Sequence, residues 1–198
     1  MSNRESSNNL LASISETTKI EVLFSEAEIR ARVENMAHDI VTEMGKDILL
    51  VGILRGSFIF VADLMRALHH SGAHARIAFM SLSSYGDGTT SQGVRVVHDL
   101  DQDVENETVL IIEDIIESGR TVKFAKDLIA KRGAKTVQIA TLLHKSGFKK
   151  VEITEDFIGF NCPPEFVIGY GLDWANRFRE LPYVGIIKSN LSPSFKTD

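Results

Sequence analysis

The chain has 198 residues, 43% of them hydrophobic and 25% charged, with a formal net charge of −5 at pH 7. That length and apolar content suit one domain with a sizeable core, and the acidic balance makes a nucleic-acid backbone a poor partner. The one cysteine, Cys162, excludes an internal disulfide, fits a reducing cytoplasm and reads as an inert thiol. In chain order, residues 1–19 read as a flexible tail: Met1 to Thr18 is rich in Ser, Asn and Thr and lacks the apolar stretch of a secretory signal. Ser25 and Glu28 form a capping-box pattern, and Ile29, Val33, Met36, Ala37 and Ile40 then recur at helical spacing, predicting a helix over Glu26–Met44 closed by Gly45. Asp47–Leu54 is a continuous apolar run, hence a buried strand. Ser57–His70 reads as a helix and His74–Ser83 as a strand. Ser84–Gly93 is polar and glycine-rich, Val94–Asp99 is another strand, and Asp101–Glu107 is an acidic turn. Thr108–Ile112 is a strand, and the helix after it runs from about Thr121 to Arg132, stopped by Gly133. Thr136–Leu143 is the next strand, and Phe157–Phe160, Val167–Tyr170 and Tyr183–Ile187 are shorter ones. Strands alternating with helices predict an α/β fold, a mostly parallel twisted sheet flanked by helices. No apolar run is long enough to span a bilayer, and a cytoplasmic location is expected.

The most informative string is residues 109–121, Val-Leu-Ile-Ile-Glu-Asp-Ile-Ile-Glu-Ser-Gly-Arg-Thr. A buried strand ends in Glu113 and Asp114, at the sheet edge where open parallel sheets bind ligands. A third carboxylate, Glu117, precedes the small-residue turn Ser118-Gly119-Arg120-Thr121, which can aim backbone N–H groups at a phosphate on the positive end of the following helix. The carboxylates can take sugar hydroxyls or Mg²⁺, so the string reads as a site for a phosphorylated sugar with a metal. At the end of the first buried strand, Arg55 offers a positive fork for phosphate oxygens and Gly56 allows close backbone approach. Lys145, expected just past the strand ending at Leu143, can donate to a carbonyl oxygen. Phe166 can stack on an aromatic base. Taken singly, each has a plainer reading: a solvated acidic turn, a surface arginine, a surface lysine beside Lys149 and Lys150, a core phenylalanine. The joint order favours a site.

The string 109–121 resembles the motif that binds 5-phosphoribosyl 1-diphosphate (PRPP) in type I phosphoribosyltransferases. The likeness extends from about Val22 to Ile187, through Leu54-Arg55-Gly56-Ser57, Ser84-Tyr85, Lys145 and Phe166-Val167-Ile168-Gly169-Tyr170-Gly171-Leu172-Asp173. It implies that family's fold over a single domain, residues 20–198, with a small hood lobe formed by the N- and C-terminal segments. It implies transfer of a ribosyl phosphate from PRPP to N9 of hypoxanthine or guanine, releasing diphosphate. Glu113 and Asp114 would serve the ribose and Mg²⁺, with Asp173 on a second Mg²⁺, and Ser118, Gly119, Arg120 and Thr121 would cup the 5′-phosphate. Arg55, Gly56 and Arg179 would hold the diphosphate, across a Leu54–Arg55 peptide that can be cis. Lys145, Phe166 and Val167 would bind the purine, Ser84 and Tyr85 would begin a mobile loop that closes over the site, and Glu117 would exchange the N7 proton. A homodimer or homotetramer is the family expectation. The chain departs from the pattern at Glu117, where the family usually has aspartate, and at Glu165, where many relatives carry lysine. The rival readings are a phosphoribosyltransferase for xanthine, adenine or a pyrimidine, and a nucleotide-sensing regulator that binds nucleic acid on the same fold. A plain nucleotide-binding module would leave Lys145 and the mobile-loop pattern without a purpose.

Overall fold

Alternate side chains along the two central strands are buried on opposite sides, and this dictates the architecture. The computed structural model describes residues 19–84 and 93–188. Its elements are β1 (Lys19–Phe24), α1 (Glu26–Met44), β2 (Asp47–Leu54), α2 (Phe58–His70), β3 (His74–Ser84), β4 (Val94–His98), β5 (Thr108–Ile116), α3 (Arg120–Lys131), β6 (Thr136–Lys145), β7 (Phe157–Cys162), β8 (Val167–Ile168) and β9 (Val184–Lys188). Ile48, Leu50, Leu110 and Ile112 pack with Val33, Met36, Ile40, Leu64 and Leu68 of α1 and α2. Leu49, Val51, Val109 and Ile111 point the other way and pack with Val122, Ala125 and Ile129 of α3. A strand covered on both faces must be apolar at consecutive positions, which is why β2 and β5 read as unbroken runs.

Six strands form the main sheet in the order β4-β3-β2-β5-β6-β7. All its pairings are parallel except β3 with β4. From β2 the chain crosses to β3 on one side, and from β5 it crosses to β6 on the other. The order therefore reverses between β2 and β5, and the crevice beyond their carboxyl ends is where such a sheet receives a ligand. A second sheet, β1-β9-β8, joins the two ends of the described chain. β1 follows no turn signal and pairs only with distant β9, Ile20 opposite Ile187, and the sequence reading did not anticipate it. Lys19, assigned there to the tail, is its first residue.

Several strands run past their expected ends, and two of them, β5 and β6, carry site residues. β5 was expected to stop at Ile112 but continues to Ile116, because Ile115 and Ile116 pair with Leu143 and His144 of β6. Glu113 and Asp114 therefore lie within a strand, fixed by its ladder, and not in a turn after it. β6 continues through Lys145, which pairs with Cys162 of β7, so Lys145 is a strand residue and not a solvated one beyond the strand. Both ladders persist because parallel neighbours supply backbone partners whatever the side chain. At the other end of the scale, the capping box of Ser25 and Glu28 forms as its spacing predicts and starts α1. Cys162 is buried, and burial raises its thiol to about 11. It stays a protonated, unreactive thiol near neutral pH. No helix among the described residues is long and apolar enough to cross a membrane.

Candidate active site

Two strand ends meet at the crevice. The Leu54–Arg55 peptide, at the end of β2, is cis. Ser57, fully buried, donates its hydroxyl to the Ile53 carbonyl at 2.5 Å and closes the turn into α2. Gly56 lies so close to the Asp114 carboxylate that a Cβ at this position would stand 1.6 Å from Oδ2. Gly171, with φ of +99°, packs on the same loop from the C-terminal side, where a Cβ would meet the Gly56 carbonyl at 2.1 Å. The residues predicted for diphosphate and for ribose are thus seated against each other. Gly171 was part of the motif read in the sequence but carried no role there; its positive φ and this contact give it one.

Asp114 is 8% exposed and accepts the Ile115 N–H at 2.8 Å. Burial raises its pKa. Glu113 is held well above the usual carboxylate range, first by lost solvation and then by the charge of Asp114. Its Oε2 is buried and without a hydrogen-bond partner among the described residues. Two adjacent carboxyls deprived of water, one with an orphaned oxygen, have the chemistry of a seat for a hard cation or a sugar hydroxyl. Asp173 is less available: Oδ1 pairs with Arg179 at 2.5 Å and Oδ2 accepts the Asn176 N–H at 2.7 Å. Among the described residues no three acidic, histidine or cysteine side chains converge on one point. Glu113 and Asp114, expected to serve one Mg²⁺, are adjacent, while Asp173, expected on a second, is engaged by Arg179 and the Asn176 N–H. The donor set fits a cation held by one or two carboxylates, with substrate oxygens and waters completing the octahedron, the habit of Mg²⁺.

The turn after β5 forms the floor of a cavity of about 180 Å³ lined by Glu113, Glu117, Ser118, Gly119 and Thr121. Gly119 caps α3 in the left-handed conformation, φ +76°, and no side chain caps this helix. The Arg120 N–H reaches Ser118 Oγ only at 3.4 Å, so the first helical turn, at the edge of this cavity, opens with amides largely unspent. The Arg120 side chain is exposed.

An adjoining cavity of about 390 Å³ is lined by Arg55, Gly56, Asp114, Glu117, Lys145, Phe166, Val167, Asp173 and Arg179. Lys145 is 2% exposed and donates to Glu117 Oε1 at 2.5 Å. Phe166 is half-buried beside the buried Val167. Arg179, besides its pairing with Asp173, donates to the Gly171 carbonyl at 2.6 Å. Glu117 lines both cavities and stands at their junction. Of the expected residues, Tyr85 and the Ser84 side chain lie outside those described and Arg120 lines neither cavity; the others line the two adjoining cavities of this crevice.

A family model described as the phosphoribosyl transferase domain matches residues 21–174. The chain belongs to the phosphoribosyltransferase family. Among phosphoribosyltransferases, it is 44% identical to the hypoxanthine phosphoribosyltransferase of Escherichia coli (strain K12) over 170 residues, 84% of this chain and 94% of that protein. It is also 44% identical to the hypoxanthine-guanine phosphoribosyltransferase of Dictyostelium discoideum over 171 residues, 85% of this chain and 95% of that protein. The bifunctional protein TilS/HprT of Listeria monocytogenes is 45% identical over 172 residues, but the match spans only 26% of that longer protein. A crystal structure of a hypoxanthine phosphoribosyltransferase from Staphylococcus aureus superposes with a TM-score of 0.80 at 37% identity, covering 91% of this chain and 96% of that one. These likenesses to phosphoribosyltransferases run through both the main sheet and the crevice at its edge.

Proposed function

We propose that the chain salvages purines, transferring 5-phosphoribosyl from PRPP to N9 of hypoxanthine or guanine and giving IMP or GMP with diphosphate. The observation that carries this is the buried Lys145 paired with Glu117 beside Phe166. A 6-oxopurine presents O6 and N7 as neighbours on one edge, and a lysine donor next to a carboxylate is complementary to that edge in charge and spacing. Lys145 turns from Glu117 to O6, and Glu117 is released to take the proton from N7 as N9 attacks the sugar. Phe166 stacks on the ring, and the Val167 backbone meets its other edge. Adenine places an amino group where O6 would be and leaves the Lys145 donor unmatched.

The 5′-phosphate lies on the Ser118–Thr121 turn, against the amides that open α3. Glu113 and Asp114 take the ribose hydroxyls and share the metal, and with that cation holding them ionised their charge favours the cation-like sugar carbon as its bond to diphosphate breaks. Arg55, the Gly56 backbone and Arg179 hold the leaving diphosphate, with Arg179 giving up Asp173 to do so. Mg²⁺, when bound, would neutralise charge on the diphosphate; Glu113 and Asp114 would hold one ion, and Asp173 would serve a second. Ser84 and Tyr85 open the loop that shields the site. The same reading makes the protein a cytoplasmic homodimer or homotetramer.

The test is a panel of hypoxanthine, guanine, xanthine and adenine with PRPP and Mg²⁺, read by nucleotide formation. IMP or GMP should form, with adenine slower by at least about a hundredfold, the penalty for an unmatched buried donor. Adenine turning over as fast as hypoxanthine would remove the role given to Lys145.

A further inference from the structure

The phosphate turn does not stand alone. It rests on the connection between β6 and β7, residues 146–156, and that connection is held by charged groups with no other evident task. A Cβ on Gly119 would lie 2.8 Å from Ile153 Cγ2 and 3.2 Å from Val151 Cγ2. The two side chains are pressed against the backbone of the cradle from behind. The Lys150 N–H donates to the Ser118 carbonyl at 3.0 Å, a second tie to the same turn.

Inside this connection Glu155 is buried, with its side chain 3% exposed. Both its oxygens are engaged: Lys149 Nζ donates to Oε2 at 2.6 Å, and His144 Nδ1 stands 3.2 Å from Oε1. Lys149 also donates to the Ile153 carbonyl at 2.9 Å, which fixes the residue under Gly119. Burial acts to raise the Glu155 carboxyl, but the Lys149 hydrogen bond and charge bring it below the ordinary range, so the anchor stays ionised. A buried carboxylate is retained only where its partners repay the lost solvation, and here the partners lead to the floor of the phosphate cavity.

We propose that Glu155 is a positioning residue for the 5′-phosphate: through Lys149 it clamps the 146–156 connection so that Ile153 and Val151 hold the Gly119 turn in its phosphate-accepting shape. This rests on the assignment of that turn to the 5′-phosphate of PRPP. Glu155 touches no substrate. It acts on PRPP binding before and during the reaction alike, and so on KM and not on kcat.

The experiment compares Glu155→Ala, Glu155→Gln and Lys149→Met with the unaltered full chain, by steady-state kinetics in PRPP and hypoxanthine and by calorimetry with ribose 5-phosphate. Lys149 is 34% exposed, so Lys149→Met tests the clamp from its solvent side, and a melting temperature alongside reports the cost of leaving Glu155 to His144. In Glu155→Ala and Lys149→Met, KM for PRPP and Kd for ribose 5-phosphate should both rise about tenfold. kcat and KM for hypoxanthine should stay within about twofold. Glu155→Gln, which keeps an acceptor for Lys149, should recover most of the loss. PRPP and ribose 5-phosphate constants unchanged in a folded Lys149→Met protein would overturn the proposal, as would equal losses in every parameter. Should the unaltered protein bind ribose 5-phosphate without turning over hypoxanthine, the purine assignment fails, while the binding arm still decides the clamp.

Discussion

Replacing Glu117 by glutamine is expected to lower kcat by about 10²- to 10⁴-fold, the usual worth of a positioned acid–base group, while leaving the fold and the affinity for PRPP close to unaltered. Glutamine keeps the length and the oxygen that accepts from Lys145, so the buried lysine retains a partner. Only the capacity to take a proton is lost. Glu117→Ala is the harsher version, because it also strips a carboxylate from a lysine that is 2% exposed, and stability should fall along with rate. Glu117→Asp separates chemistry from reach. The carboxylate is restored one methylene further back, so activity should return to within about tenfold, governed by how well the pairing with Lys145 re-forms. Single-turnover rates with hypoxanthine give the comparison, with a melting temperature alongside. A Glu117→Gln enzyme of near-full rate would require another proton acceptor in the crevice.

Gly56→Ala is expected to be nearly as damaging without touching any reacting atom. Its Cβ would stand 1.6 Å from Asp114 Oδ2, a distance no rotamer adjustment absorbs, since Asp114 is buried and tied to the Ile115 N–H at 2.8 Å. Either the Arg55–Gly56 loop or the carboxylate must move by more than an ångström. Displacement on that scale costs about 10²-fold in rate, and overpacking a filled site costs about 1–3 kcal/mol of stability. For a chain of this size that is a drop in Tm of roughly 2–12 °C. Gly93→Ala is the control, because a Cβ there meets nothing within 4 Å. kcat/KM and Tm for the two variants make the comparison, and equal behaviour would mean that the Gly56–Asp114 contact does not constrain the site.

Much of this was legible in the sequence because the information is local. The capping box at Ser25, the apolar run from Ile48 to Leu54 and the glycine at 119 each announce a local conformation. The site residues were legible for another reason: in a sheet of this topology, chemistry collects at strand ends, and strand ends can be read. What escaped was set by partners distant in the chain. The extra length of β5 and β6 depends on pairing between them and β7, and it changes the meaning of Glu113, Asp114 and Lys145 from loop residues to rigidly held ones. The burial of Lys145 follows from the same pairing and sets aside the plainer reading of a surface lysine beside Lys149 and Lys150. β1 pairs across nearly the whole described chain. Glu155 looks like one more charge in Glu152–Asp156 until His144 and Lys149 are seen around it.

The small sheet has a temporal consequence. Its central strand, β9, pairs with β1 on one side and with β8, next to Phe166, on the other. The wall assigned to the purine under the proposed function is thus closed by a contact between Lys19–Phe24 and Val184–Lys188, among the longest loop closures the described chain can make, and such contacts are entropically slow to form. The crossover units of the main sheet can assemble from near neighbours well before this. On dilution from denaturant, the helical far-ultraviolet signal should therefore recover ahead of base binding, with a phase in which the nucleotide cradle exists and its purine wall does not. Simultaneous recovery of both signals would show that the terminal strands dock with the body in one step.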